Sequence, residues 1–149
     1  METSDILVVD DDADLRRTLV LLLNKKYSVV EAGNGIDALV ILEKLRPRLI
    51  FLDISMPGMS GLEVLRPARQ KDGTLKVVML TSHQELELAK SALDLGALAY
   101  ITKPFDADFI RDEVDRLLAP VGGQEDSGQP WHVKAQSRII TRFEGLEQQ

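Results

Sequence analysis

The sequence has 149 residues and contains no cysteine. Disulfides and cysteine-based zinc sites are therefore excluded, and we expect a protein compatible with the reducing cytoplasm. The N-terminus lacks a basic stretch followed by an apolar one, so it is not typical of a signal peptide. No uninterrupted apolar run is long enough to span a bilayer, and we expect no membrane partner. The formal net charge of -6 argues against non-specific nucleic-acid binding by the whole chain.

What the sequence does contain is an alternation of two patterns. Short β-branched and aliphatic runs lie at 5–10, 27–32, 48–53, 75–81 and 97–102. Each is followed by a segment whose apolar residues have helical spacing. Alternating strands and helices predict right-handed βαβ units. The fold class predicted is α/β, a doubly wound five-stranded parallel sheet in the flavodoxin-like order 2-1-3-4-5, with helices on both faces.

The chain divides by composition near residue 119. Residues 1–119 carry the alternating pattern, and residues 120–130 are rich in Gly, Pro, Ser and acidic side chains, which predicts a linker. Residues 131–149 form a short tail with three open interpretations: disorder, an amphipathic helix, or the start of a missing effector domain. Within the main domain, Pro67 interrupts a helical pattern and predicts a kink or a helix that restarts, and Asp106 is a plausible N-cap.

Polar residues stand where the predicted strands end. Asp10-Asp11-Asp12 follow the first strand, Asp53 the third, Thr81 the fourth and Lys103 the fifth. In an open α/β sheet, ligands bind outside the carboxyl ends of the strands. Several carboxylates close together cannot all ionise unless a cation joins them. An all-oxygen cluster prefers Mg²⁺ or Ca²⁺, and the spacing is not that of an EF-hand. A lysine suits a phosphoryl oxygen, and an aspartate can carry an aspartyl-phosphate.

Four segments together resemble the receiver domain of two-component response regulators. They are "ILVVDDDADLRRTL" (6–19), "LIFLDISMPGMSGLEVL" (49–65), "VVMLTS" (77–82) and "AYITKPF" (99–105). Each segment alone is weakly specific, but all occur in order and at suitable spacing. The resemblance covers residues 5–119, so residues 1–119 are expected to form a receiver domain.

The resemblance implies a role for each residue at the strand ends. Asp53 would be the phosphoacceptor, taking a phosphoryl group from the phosphohistidine of a histidine kinase. Asp10 and Asp11 would hold Mg²⁺ together with Asp53 and the backbone carbonyl of Ser55. The Lys103-Pro104 peptide bond is expected to be cis. Asp12 is expected to be only a neighbour, in the ordinary position of a helix N-cap.

The resemblance also implies residues that respond to the phosphoryl group. Thr81 would move toward a phosphoryl oxygen, and Lys103 would pair with Asp53 or its phosphate. Tyr100 would be an aromatic switch that rotates inward with Thr81, although a half-buried core tyrosine is the alternative. Ser55 and His83 would border the phosphoryl site and tune dephosphorylation, although His83 could equally be a solvent-exposed side chain.

The function implied is that of a phosphorylation-activated response regulator. The expected partners are a sensor histidine kinase or phosphotransfer protein and a downstream protein target or effector domain. We expect no direct nucleic-acid binding by residues 1–119. A phosphorylation-dependent homodimer is compatible with a mixed-charge set of side chains on one face, formed by Lys90, Asp94, Asp108, Arg111, Asp112 and Arg116.

Two other functions compete with this one. The chain could be the receiver portion of a longer winged-helix DNA-binding transcriptional regulator, since the tail faintly resembles the opening strands of such a domain. It could also be a hydrolase of the haloacid-dehalogenase type with an aspartyl nucleophile, but "DDDAD" lacks the Thr or Val that this class requires. We therefore expect a phosphoacceptor that catalyses its own phosphoryl transfer and dephosphorylation, with no turnover of an external substrate.

Overall fold

The computed structural model describes residues 2–119 and 139–141. The strands are β1 (Glu2–Val9), β2 (Val29–Ala32), β3 (Leu45–Asp53), β4 (Lys76–Thr81), β5 (Ala99–Thr102) and β6 (Ile139–Thr141). The helices are α1 (Ala13–Leu23), α2 (Gly35–Lys44), α3 (Gly61–Lys71), α4 (Leu86–Asp94) and α5 (Ala107–Leu117), and a short 3-10 turn at His83–Glu85 precedes α4.

The sheet has the predicted topology. Strands β2, β1, β3, β4 and β5 are parallel neighbours in that order, which confirms the flavodoxin-like arrangement. The short strand β6 adds an antiparallel neighbour to β5, with Ile140 in register with Tyr100. The sequence pattern did not predict this sixth strand as part of the sheet.

Both faces of the sheet are buried, because successive side chains of each strand enter opposite cores. Leu7 and Val9 of β1 join the core beneath α2, α3 and α4. Ile6 and Val8, which alternate with these two residues along the strand, join the core beneath α1 and α5. This two-sided burial is why the strands appear in the sequence as continuous apolar runs rather than alternating ones.

Side-chain caps begin four of the helices. Asp12 caps α1 by accepting hydrogen bonds from the backbone N–H groups of Asp14 and Leu15, and Asn34 caps α2. Ser60 caps α3 in a capping box with Glu63. Asp106 caps α5, as predicted, by accepting from the N–H of Asp108 at 2.8 Å.

Helix α3 runs through Pro67 as one element, so the predicted restart does not occur. The proline ring lies on the exposed side of the helix. Proline removes only one N–H from a helix. On the opposite side of the helix, Val64 and Leu65 before the proline and Ala68 after it are buried and hold the helix in place. Tertiary packing thus outweighs the local preference.

The C-terminal expectations fall largely outside the described residues. The predicted linker at 120–130 lies wholly outside them, and of the predicted tail at 131–149 only residues 139–141 are described. These domain boundaries stay predictions. Among the helices at residues 2–119, none combines the length and the apolar character needed to cross a membrane.

Gly61 brings the start of α3 against the end of β3. Its N–H donates to the carbonyl of Ile54 at 2.8 Å. A Cβ added at Gly61 would lie 2.9 Å from the Cα of Ile54 and closer still to the carbonyl oxygen of Asp53. The obstructing atoms are backbone, so they cannot rotate away. Gly73, in contrast, has no atom within 4 Å of such a Cβ.

Gly61→Ala should therefore destabilise the protein by about 1–3 kcal/mol, because the added methyl group must push α3 and β3 apart. Gly73→Ala is the matched control, expected to be neutral or slightly stabilising. Thermal unfolding followed by circular dichroism measures both. Equal melting temperatures for the two variants would contradict the close approach at Gly61.

Candidate functional site

Three acidic side chains and one lysine meet at the carboxyl edge of the sheet. Asp10 is wholly buried and Asp53 is 3% exposed, while Asp11 is exposed. One carboxylate oxygen from each of the three lies within 4.8 Å of the others. Nζ of Lys103 lies 3.0 Å from Oδ2 of Asp10 and 3.4 Å from Oδ1 of Asp53. The sequence-based prediction that these residues converge is confirmed by this geometry.

Strand register explains the convergence. Val9 of β1 is paired with Leu52 of β3, so Asp10 and Asp53 follow side by side at the ends of neighbouring strands. Lys103 follows Thr102 at the end of β5 and reaches across β4 to both carboxylates. The Lys103-Pro104 peptide bond is cis, as the resemblance implies.

Asp10 is held in place by several contacts. Its Oδ1 accepts a hydrogen bond from the N–H of Asp12 at 2.9 Å, and its backbone carbonyl accepts one from the Arg16 guanidinium at 2.8 Å. Its Oδ2 accepts no hydrogen bond from any described residue. This oxygen is paired instead with the Lys103 ammonium at 3.0 Å, an ion pair rather than a well-aligned hydrogen bond.

Burial is the main reason that the pKa of Asp53 rises to about 7, and the charge of Asp10 raises it further. The Lys103 ammonium opposes both effects without cancelling them. For Lys103, burial pulls the pKa down, but the carboxylates of Asp53 and Asp10 outweigh burial, so its pKa lies above the usual value. One ammonium does not balance this cluster, and further positive charge would stabilise its ionised form.

These residues fit a hard cation. The available donors are carboxylate oxygens, which suit Mg²⁺ or Ca²⁺. The buried Oδ2 of Asp10 lacks a hydrogen-bond partner among the described residues, and the exposed Asp11 leaves one side of the cluster open to solvent. An open acidic cluster of this kind matches Mg²⁺, which keeps several waters and binds few protein carboxylates.

The remaining predicted residues lie around this cluster. Thr81 is wholly buried, and its hydroxyl donates to the carbonyl of Ser82 at 3.1 Å. The Ser55 N–H donates to Oδ1 of Asp53 at 3.3 Å. His83 is solvent-exposed. Tyr100 is 2% exposed, with its ring inside the core that includes Ala89 of α4.

The Tyr100 ring thus occupies the position of a core aromatic in this structure. Burial and the charge of Glu87 both raise its pKa. A switch role for Tyr100 stays a prediction, and it requires a second state in which the ring leaves this core.

Sequence reasoning missed two residues beside the site. Arg16 donates to the carbonyl of Asp10 and pairs with Glu31 at 2.9 Å, and no local pattern marked it. Glu85 accepts hydrogen bonds from Ser55 and from the Ser82 N–H. The spacing of Ser82 and Glu85 matches the S-x-x-E pattern of a helix start, which could have indicated it.

A separate cavity of about 300 Å³ lies at the other end of the sheet, and it shares no lining residue with the acidic cluster. Its walls include Leu42, Pro47 and Leu75, with Arg46 and Asp72 also lining it. The cavity is therefore not part of the site around Asp53.

The chain matches known proteins over nearly all of the described part. The family model for the response regulator receiver domain matches residues 6–115. Sporulation initiation phosphotransferase F of Bacillus subtilis is 40% identical over 119 residues, covering 79% of this chain and 96% of that protein. The DNA-binding transcriptional regulator NtrC of Escherichia coli is 35% identical, covering 80% of this chain but only 26% of that protein.

Solved structures agree. The crystal structure of the receiver domain of NtrX from Brucella abortus superposes with a TM-score of 0.72 at 37% identity, covering 76% of this chain and 98% of that chain. The chain belongs to the response regulator receiver domain family. It is a phosphorylation-activated response regulator of the two-component type. The comparisons do not favour the alternative of a receiver cut from a longer winged-helix transcriptional regulator.

The raised pKa of Asp53 predicts a pH dependence of stability for the metal-free protein. The stability associated with Asp53 is fully present below its unfolded-state pKa and is lost as the pH rises toward about 7. Asp53→Asn should therefore raise the melting temperature in EDTA by several degrees at pH 7.5, with a smaller difference at pH 5.

Asp72→Asn is the control, for which we expect the opposite change in stability. A hydrogen bond from Thr74 holds the pKa of Asp72 below its usual value, so this variant should lose stability at pH 7.5. Calorimetry across pH 4.5 to 8 checks both variants. An Asp53→Asn variant that is less stable than wild type throughout that range would rule out the burial penalty on Asp53.

Proposed function

We propose that Asp53 accepts a phosphoryl group from the phosphohistidine of a sensor histidine kinase or a phosphotransfer protein. The observation that carries this proposal is the meeting of a buried Asp53 with Asp10 and Lys103 at the open edge of the sheet. The protein catalyses the transfer of the phosphoryl group to its own Asp53, and we do not propose that it turns over an external substrate. Its output is a conformational change read by a downstream protein target or effector domain.

The two oxygens of Asp53 have different surroundings. Oδ1 accepts from the Ser55 N–H and faces Lys103, so Oδ2 is the oxygen assigned as the nucleophile. As the new O–P bond forms, the P–N bond of the phosphohistidine breaks and its electron pair returns to the imidazole. Lys103 then pairs with a phosphoryl oxygen, which keeps the transferred group beside Asp53.

Asp10, Asp11, Asp53 and the backbone carbonyl of Ser55 would hold Mg²⁺. When bound, Mg²⁺ supplies positive charge that stabilises the phosphoryl oxygens during transfer. The residues that hold it also fix the orientation of Asp53: Asp10 through its contact with Lys103, and Ser55 through its N–H.

Thr81 and Tyr100 form the proposed switch. The phosphoryl group adds about -1.5 to -2 charge, which attracts the Thr81 hydroxyl away from the Ser82 carbonyl. Movement of Thr81 changes the end of β4. This strand pairs with β5, where Tyr100 is the register partner of Met79. Ser55 and the exposed His83 border the phosphoryl group and tune how readily water reaches it.

The first test is phosphorylation by acetyl phosphate with Mg²⁺, followed by intact mass. Wild type should gain a single phosphate, whereas Asp53→Ala and EDTA-treated wild type should gain none. Asp14→Asn, which alters an exposed carboxylate outside the cluster, should label like wild type. An unlabelled wild type, under conditions where an established receiver domain is labelled, would refute the proposed chemistry.

Phosphorylation is also proposed to favour an isologous dimer through the face formed by α4, β5 and α5. Two of its charges already pair within α5: Arg111 with Asp108, and Arg116 with Glu113. Dimerisation would exchange such local pairs for pairs between subunits. The position of β6 alongside β5 places residues 139–141 at this face.

Analytical ultracentrifugation tests the dimer. With Mg²⁺ and saturating beryllium fluoride, a phosphoryl mimic, the sedimentation coefficient should increase relative to protein with Mg²⁺ alone. Arg111→Glu should weaken the increase. A monomer under saturating mimic would remove this proposal without affecting phosphorylation of Asp53.

A further inference from the structure

Glu85 joins the two loops that flank the phosphoacceptor. Its Oε2 accepts a hydrogen bond from the hydroxyl of Ser55, in the loop after β3. Its Oε1 accepts from the N–H of Ser82 at 3.4 Å, in the loop after β4. The Glu85 side chain is half-buried, its contact with Ser82 is partly buried, and its contact with the exposed Ser55 lies at the surface.

The backbone of Glu85 also restrains Thr81. The Thr81 hydroxyl lies 3.5 Å from the Glu85 carbonyl and 3.1 Å from the Ser82 carbonyl. A hydroxyl has one proton to donate. Thr81 therefore cannot donate to a phosphoryl oxygen on Asp53 while it donates to either carbonyl, and it must give up these acceptors first.

The charge of Glu85 opposes the phosphoryl group directly. Both oxygens of this carboxylate accept hydrogen bonds, Oε2 from the Ser55 hydroxyl and Oε1 from the Ser82 N–H, and such bonds favour the ionised form. The carboxylate is thus negative at neutral pH. It contacts Ser55, two residues after Asp53, where phosphorylation adds a second negative group. Both negative groups would then adjoin Ser55, so they would repel each other, and the single ammonium of Lys103 could not pair fully with both.

We propose that Glu85 is a positioning residue that latches the unphosphorylated arrangement by tying Ser55 to the loop after β4, and that the negative charge on phosphorylated Asp53 opens this latch. This inference rests on the proposed phosphorylation of Asp53. The latch opposes phosphorylation because it keeps a negative charge at Ser55 and keeps the Thr81 hydroxyl on backbone carbonyls. Removing the charge should increase the affinity for a phosphoryl mimic.

Glu85→Gln is the primary variant, because it keeps the size and one acceptor oxygen but removes the charge. Glu87→Gln is the matched control: it removes the same charge two residues away, from a side chain that is 92% exposed and pairs with Lys90. The affinity for beryllium fluoride, at fixed saturating Mg²⁺, is measured by calorimetry. Glu85→Gln should bind the mimic roughly 3- to 10-fold more tightly, and Glu87→Gln should match wild type.

Ser55→Ala tests the same latch from the other loop and serves if Glu85→Gln does not fold. It removes the hydroxyl while leaving the backbone carbonyl and N–H of residue 55 in place. Ser55→Ala should also bind the mimic more tightly, and the double variant should gain less than the product of the two single gains. That non-additivity would not arise from a merely structural role.

The outcomes separate the two proposals. Wild type that neither binds the mimic nor accepts phosphate would overturn the proposed function. Wild type that does both, with Glu85→Gln and Ser55→Ala binding the mimic within twofold of wild type or more weakly, would overturn the latch alone. A gain of equal size in Glu87→Gln would also overturn it, because the effect would then come from general charge and not from the contact with Ser55.

Discussion

The functional site is organised around a buried ion cluster in which one ammonium, that of Lys103, faces the two buried carboxylates of Asp10 and Asp53. Taking carboxylates out of water is costly unless opposite charge and hydrogen bonds compensate. The compensation is incomplete, since burial and Asp10 keep the pKa of Asp53 raised and Oδ2 of Asp10 accepts no hydrogen bond from the described residues. A cluster of carboxylates whose negative charge is incompletely compensated favours the binding of further positive charge. The chemistry of the site follows from this shortage of positive charge.

Much of this could be predicted from the sequence because parallel strands buried on both faces leave a plain signal. The runs around Val8, Phe51 and Val78 are continuously apolar, and each strand carries its polar residue directly after it. The carboxyl ends of the strands, which carry the site, agree with the prediction within one residue. Their amino ends do not, since β1 and β3 begin earlier, at Glu2 and Leu45. Those first residues are polar or mixed, so they carry no apolar pattern, and their pairing with each other extends the strands there.

The features that could not be predicted depend on contacts between distant segments. The link between Ser55 and Glu85 spans thirty residues, and although the spacing of Ser82 and Glu85 indicates a helix start, no local pattern joins Glu85 to Ser55. The buried position of the Tyr100 ring reflects the space left beside α4, which no periodicity encodes. Strand β6 pairs with β5 across a segment of the chain whose composition is that of a linker. Local patterns specify elements and their order, but side-chain partners across loops depend on the assembled fold.

The packing around Asp53 differs between its two sides, and this difference determines which neighbouring elements can rearrange. On one side, α3 begins at Gly61 in backbone contact with the end of β3, with no room for even a methyl group and with a backbone hydrogen bond to Ile54. Close-packed backbone of this kind transmits strain but does not rearrange easily.

On the other side, the loop after β4 is connected through side-chain hydrogen bonds of Thr81 and Glu85. Such bonds exchange partners at little net cost, since one acceptor replaces another. If Asp53 is phosphorylated as proposed, the added charge would therefore be accommodated toward β4, α4 and β5, and not toward α3. The asymmetry arises from a glycine on one side and hydrogen-bonding side chains on the other. Tyr100, on β5, lies on the side with the exchangeable hydrogen bonds, which is the side that the proposed switch requires to move.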